Sequence, residues 1–381
     1  MQSIRTAHTK LENASSAALD FYDQVVQQDM ALVLFFCSSR YDLDRLASEL
    51  KSLFGPVPLV GCTTAGEIGP AGYTEHGISG VSFPAGSFTV VTGLVGPLRE
   101  FNLSGVEQVA HSLKRHLAGA TTAGKDDADF AFLMVDGLSR REEPLMGALH
   151  NCLGGIPVVG GSAGDDLRFE KTFVYYDGAF LTDHAVLVLA ASRCPVAMLR
   201  SQHFTATDQR LVITAADPEC RRVTEFNGLP AAGEYARVLG MEVADLDFDN
   251  FAFSPVVVLI NGEEYVRSIQ RANPDGSLTF LCAIEEGLVV RIARGTALLG
   301  NLEEDLVRVR DRIGEPQVII GCDCVLRNLE ISRSGDKPDV AALMEVNRVV
   351  GFSCYGEQFG AVHVNQTFTA LAIGQPEVQG R

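Results

Sequence analysis

Apolar positions along this chain come in two rhythms: unbroken runs of five to eight residues, and stretches in which they recur three and four apart. The first rhythm reads as buried strand and the second as amphipathic helix. Ala17, Leu19, Phe21, Tyr22, Val25 and Val26 follow Ser15 and Ser16 with helical spacing, and 31–36 is a short apolar run, giving helix then strand. Residues 43–54 form a second amphipathic stretch that ends at Gly55-Pro56, followed by a strand over 57–60, strands over 78–83 and 88–95, and a helix over 103–117. The same order returns with a strand over 130–135, a helix over 143–153 and a strand over 156–159, after which 173–176, Asp177-Gly178, Phe180 and 185–191 read as a hairpin.

Cys194-Pro195 interrupts the pattern, and short strand-like runs fill 196–226. Asn227-Gly228-Leu229-Pro230 opens a helix that stops at Leu239-Gly240. Runs at 256–260, 265–270, 278–282 and 288–292, joined by Asn261-Gly262 and Pro274-Asp275-Gly276, suggest an antiparallel meander. A helix over 296–312, a strand over 318–320, a helix over 340–346 and strands over 348–351 and 368–373 complete the chain. The expectation is an α/β protein of two mixed-sheet domains, 25–198 and 199–375, with internally repeated strand-helix-strand units.

Three of the strands run into variants of one turn: Val60-Gly61-Cys62-Thr63-Thr64-Ala65-Gly66-Glu67, Val159-Gly160-Gly161-Ser162-Ala163-Gly164-Asp165, and Val350-Gly351-Phe352-Ser353-Cys354-Tyr355-Gly356-Glu357. Each supplies glycine, a hydroxyl group, a second glycine and a carboxylate. Cys37-Ser38-Ser39-Arg40 precedes the first and Cys324-Val325-Leu326-Arg327 the third by roughly 20 to 25 residues, a spacing that fits strand, crossover helix and strand. Gly61 and Gly160 mark a duplication within the first domain. Close-set N–H groups at such turns suit an anion, but a P-loop lysine and a dinucleotide fingerprint are both missing from these segments.

A formal net charge of −17 without a basic, aromatic-interleaved stripe argues against nucleic acid. Nine cysteines in no framework spacing indicate a reducing compartment, and neither an export signal nor a membrane span is read, so a cytoplasmic protein is expected. No histidine stands in the Cys-x-x-Arg or glycine-turn segments to activate a thiol or hydroxyl, so the chain is not read as an enzyme.

Taken in order, Gly61–Ile68, Gly160–Asp166, Cys324-x-x-Arg327 and Gly351–Glu357 resemble the FIST family, with its FIST-N and FIST-C domains, over about residues 25–375. The resemblance implies a sensory module that binds a small molecule and acts on a histidine kinase or on a diguanylate cyclase or phosphodiesterase. The stand-alone bacterial subset called NosP further implies haem and, through it, nitric oxide, and allows a homo-oligomer.

For haem, His203 in Gln202-His203-Phe204, at the domain junction, is the first choice of axial donor, with His363, His184 and the Cys194-Pro195 thiol as alternates. His76, His111, His116 and His150 read as solvated. Arg40 and Arg327 either hold Glu67 and Glu357 or meet an external carboxylate, whether a propionate or an amino-acid ligand. Gly61, Gly66, Gly160, Gly351 and Gly356 would line such a site. The competing function is a receptor for an amino acid or small carboxylate without haem.

Overall fold

The computed structural model describes residues 3–70, 72–121, 129–260 and 262–376. One succession of elements occurs three times: leading strand, outer helix, inner strand, crossover helix, turn strand, two-stranded ribbon, return strand. The first repeat uses Arg5–Thr9, Ala14–Val25, Met30–Ser38, Leu43–Phe54, Leu59–Thr64, the ribbon Glu67–Gly69 with Gly72–Thr74, and Ile78–Pro84. The second uses Phe88–Val95, Leu103–Ala120, Phe130–Val135, Glu142–Leu153, Val158–Ser162, the ribbon Val174–Tyr176 with Ala179–Leu181, and Ala185–Ser192. In the third the elements are Val196–Ser201, Leu298–Ile313, Val318–Cys324, two crossover helices Val325–Ser334 and Lys337–Val346, Val349–Cys354, the ribbon Glu357–Phe359 with Val362–Val364, and Phe368–Ile373.

Each repeat builds a sheet in which its inner and turn strands pair in parallel, and its return and leading strands add antiparallel on one side. The ribbon leaves for a neighbour. The first ribbon extends the third sheet, the second extends the first sheet, and the third extends the second, so the exchange closes in a ring. Inner strands are buried on both faces, which explains their unbroken apolar runs. Phe36, Phe132, Met134, Ile320 and Phe352 meet in a core shared by the three sheets, where Phe36 stacks on Phe352 with ring centres 4.5 Å apart. The helices cover the outer faces.

Residues 204–295, inserted after the third leading strand, add an eight-stranded sheet and a core of their own. Ala252 and Leu281 of the insertion pack with Leu326 and Tyr355, so it caps the carboxyl ends of the parallel strands. That end of an α/β sheet is where ligands ordinarily bind.

The mixed α/β class stands, and the structure adds a third repeat that the sequence reading divided. Two features hid it: the long insertion, and helix Val325–Ser334, which starts straight from the strand at Cys324 with no side-chain cap to announce it. The hairpin expected over 173–191 closes earlier, at Leu181. Ala185–Ser192 instead runs between Phe88–Val95 and Phe130–Val135 as a central strand of another sheet. The expected meander is also rearranged, because Val289–Gly295 returns between Val256–Ile260 and Phe204–Asp217. Asn261 of the expected turn lies outside the described residues.

Gly61, Gly160 and Gly351 occupy equivalent places on the turn strands, opposite Phe35, Leu133 and Gly321 of the inner strands. A Cβ at any of them would overlap the carbonyl oxygen of that partner. Gly160→Ala should therefore destabilise the fold by about 1–3 kcal/mol, the usual result of overpacking a close-set core. Equilibrium denaturation measures this; a change within experimental error would show that the strands separate freely.

Candidate functional site

The glycine turns expected to crowd together do so. Ala65 N donates to Ser353 O at 2.9 Å, Gly164 N to Thr63 O at 2.9 Å and Tyr355 N to Ser162 O at 3.1 Å, one equivalent bond from each turn to the next. Ser353 N and Ser162 N return bonds to Gly66 O and Gly356 O at 2.7 and 2.8 Å. Gly356 has φ +159°, and a Cβ on it would lie 2.6 Å from His363 Nε2 and 2.9 Å from Asn365 Nδ2. Glycine is required there by both backbone and neighbours.

All three turn carboxylates are fully buried. Glu67 accepts from Thr64 Oγ1 at 2.7 Å and Gly77 N at 2.8 Å; Glu357 accepts from Thr367 Oγ1 at 2.6 Å, Thr367 N at 3.2 Å and Cys354 Sγ at 3.1 Å. Burial outweighs these hydrogen bonds and pushes both acids up to about 8. Asp165 accepts from the backbone N–H groups of Phe169, Glu170 and Lys171 at 2.7–2.8 Å and from the Tyr355 hydroxyl, so it caps its own loop. Asp166 instead takes the hydroxyls of Ser38 and Ser39 and faces His76 at 3.5 Å.

Neither Arg40 nor Arg327 holds a turn glutamate. Arg40 is exposed, and no ion pair of its side chain occurs among the described residues; Arg327, 1% exposed, donates from Nη1 to Asp323 Oδ1 at 2.8 Å. The physical reason is register. Cys37 stands opposite Thr63, but Cys324 stands opposite Cys354, the counterpart of Thr64, so the two Cys-x-x-Arg segments are offset by one residue. Beyond the strands the two segments part altogether: Arg40 lies in the turn after Ser38, whereas Arg327 sits in the first turn of the helix Val325–Ser334.

Arg327 belongs to a buried polar cluster. The Tyr73 hydroxyl, from the ribbon of the first repeat, donates to Asp323, and Glu330, on the same face of the helix as Arg327, meets His203 Nε2 at 2.9 Å through both oxygens. His203 is 3% exposed, its ring centre 4.2 Å from that of Phe204, and its Nδ1 is buried without a partner among the described residues. Nε and Nη2 of Arg327 are likewise buried and unpartnered. The structure thus joins His203 to Arg327 and leaves the other candidates elsewhere. His363 lies in the third ribbon, buried, with Nδ1 3.2 Å from Gln358 Nε2. His184 is half-buried with Nδ1 2.7 Å from the Thr182 carbonyl, and Cys194 is buried beside Gln317.

Cys62 and Cys354, the thiols of two turns, are pushed well above their ordinary range by burial, which keeps them protonated and poor as nucleophiles. Asp323, Glu330 and Tyr73 were missed in the sequence. Asp323 alone left a trace, as a charge inside an apolar strand.

Sequence models of the FIST N domain and the FIST C domain match residues 31–229 and 231–360. The chain belongs to the FIST family. FIST domains are sensor domains of signal transduction. The FIST N match covers the inner strands of the first two repeats and reaches into the insertion; FIST C begins at the helix Ala231–Leu239. An uncharacterized protein of Methanocaldococcus jannaschii is 24% identical over 238 residues, spanning 61% of this chain and 46% of that relative. Among solved structures, a cyanuric acid hydrolase from A. caulinodans aligns over 98% of this chain and 100% of its own at 10% identity and TM-score 0.33. A chorismatase aligns over 97% and 98% at 10% identity and TM-score 0.40. Scores this low lend neither likeness any weight for this FIST chain. No helix among its described residues is long and apolar enough to cross a membrane.

The two turn glutamates give the FIST fold a pH dependence of known sign. Their folded pKa values, about 8, exceed the ordinary 4.5, so the folded state holds these protons more tightly than the unfolded chain. The contribution is complete below about 4.5 and is lost as pH rises through about 8. Melting temperature should fall across that window, and Glu67→Gln with Glu357→Gln should flatten the fall. An equally steep profile in the double variant would assign the effect to other groups.

Proposed function

We propose that this FIST protein senses a small carboxylate, such as an amino acid or organic acid, gripped by the side-on edge of Arg327. One observation carries the reading: Nη1 is occupied by Asp323 while Nε and Nη2, the two donors of that edge, are buried and unpartnered among the described residues. Two parallel N–H groups on a planar guanidinium match the two oxygens of a carboxylate. A buried donor left without an acceptor costs about 1–3 kcal/mol, so two on one side chain favour a ligand that accepts from both.

The cluster around Arg327 takes Tyr73 from the first repeat, Asp323 and Glu330 from the third, and His203 from the link that leads into the insertion. A carboxylate at Arg327 would bear on all three parts. Signalling requires that the ligand bind two arrangements of these parts unequally. The output is contact with a partner, a histidine kinase or a diguanylate cyclase or phosphodiesterase. Titration calorimetry with amino acids and small carboxylates should find a ligand, and Arg327→Lys, which keeps the charge and loses the fork, should weaken it about tenfold or more. A ligand bound equally by Arg327→Lys, or none across the panel, rejects this reading.

A haem sensor of nitric oxide is the second reading, favoured by the carboxylate of Glu330 behind His203 Nε2, an arrangement typical of metal-bound histidine. His203 would hold the iron through Nδ1, and Arg327 a propionate. His203 is 3% exposed and packed on Phe204, so haem would need an opening the breadth of a macrocycle, where a carboxylate at Arg327 needs room for a few atoms. Expression with added haem followed by an absorption spectrum decides the matter. A Soret band that moves with nitric oxide and vanishes in His203→Ala, but survives in His363→Ala, His184→Ala and Cys194→Ala, would favour haem over the carboxylate.

A further inference from the structure

The third ribbon carries a second group of buried polar atoms, remote from the roles given to Arg327 and His203. Asn365 is fully buried, and neither its Nδ2 nor its Oδ1 has a partner among the described residues. His363 Nε2 and Gln358 Oε1 are in the same condition, as is Arg267 Nε on the insertion strand Glu263–Arg267, whose charge acts on His363. His363 Nε2 and Asn365 Nδ2 both face the Cα of Gly356. Gln358 Nε2 donates to Ser162 Oγ at 2.9 Å and lies 3.2 Å from His363 Nδ1; with that nitrogen accepting, the imidazole proton is on Nε2.

We propose that this group is a binding site for a small uncharged molecule with an adjacent N–H and C=O, a primary carboxamide or lactam edge. Asn365 presents one donor and one acceptor side by side, which an amide edge meets with two reciprocal bonds. His363 Nε2, which shares the Gly356 face with Asn365 Nδ2, adds a donor for the carbonyl. The surrounding charge favours a neutral occupant: Arg221 is paired with Glu142 and Glu143 at 2.6 Å, and Arg267 offsets the remaining carboxylate. An ion would lose hydration there without a free counter-charge.

The repeat does not impose this arrangement. In the first ribbon Tyr73 pairs with Ile68 as His363 pairs with Gln358, and the counterpart of Asn365 is the exposed Glu75.

Thermal shift of the full chain with acetamide, and with acetate as its charged isostere, tests the proposal. Acetamide should raise the melting temperature, and Asn365→Leu should weaken that response about tenfold or more while raising the melting temperature of the ligand-free protein. Should Asn365→Leu not fold, Asn365→Ala must show the same loss of response. Arg327→Lys should leave the acetamide response unchanged, which separates this site from the carboxylate site. An acetamide response that persists without Asn365, or none in the natural chain, overturns the proposal. So does an Asn365→Leu chain that is less stable, the result expected of a wall satisfied by ordered water.

Discussion

No sheet of the triangle is complete without a ribbon from another repeat. Without the exchange, each turn strand would present an open edge of unpaired N–H and C=O groups beside a hydrophobic core, an arrangement that invites aggregation. Closing the ring removes all three edges together and draws the three turns within hydrogen-bonding distance of one another. Two glycines of the second turn follow from that convergence: a Cβ on Gly161 would meet Phe352 and Cys322 of the third repeat, and one on Gly164 would meet Thr64 and Ala65 of the first.

The turn glutamates act as clamps within the same ring. Glu67 reaches Gly77 and Glu357 reaches Thr367, each ten residues on, so one carboxyl spans the start of a ribbon and its exit. A charged group would be expensive in that setting, and the raised pKa values are the expected response: the acids keep their protons and serve as hydrogen-bonding groups. Their role is to fix where the ribbon departs, and with it which sheet the ribbon joins.

Much of the first two repeats was legible because their elements announce themselves locally. Leu43–Phe54 has Asp42 as a cap and a glycine at its end, and Ile78–Pro84 and Phe88–Val95 are bounded by turn residues. Ribbon exchange was not legible, since three-residue strands carry almost no periodicity and their partners lie over a hundred residues away in all three sheets. The candidate site followed the same division. Arg327 and His203 were singled out by residue type, but their partners Asp323 and Glu330 were not, because register and helix phase decide those pairings. A one-residue slip between two Cys-x-x-Arg segments looked like a repeat in sequence and placed the arginines in unlike surroundings.

The departures from threefold repetition are the more telling part of the chain. A residue that serves the ring should recur in each copy, as Gly61, Gly160 and Gly351 do. Arg327 does not recur. Counting six residues on from Phe35, Leu133 and Gly321, which face the turn glycines, Tyr41 and Ser139 stand in its place, and only the third repeat adds a helix there to carry Arg327 and Glu330. The same repeat alone sets His363 and Asn365 on its ribbon, and it alone is interrupted by the insertion that caps the strand ends. Buried polar groups without partners lower stability and contribute nothing to closing the triangle. Most of them, among the described residues, lie in the third repeat, so the shared pattern carries the scaffold and both proposed sites fall to the copy that broke it.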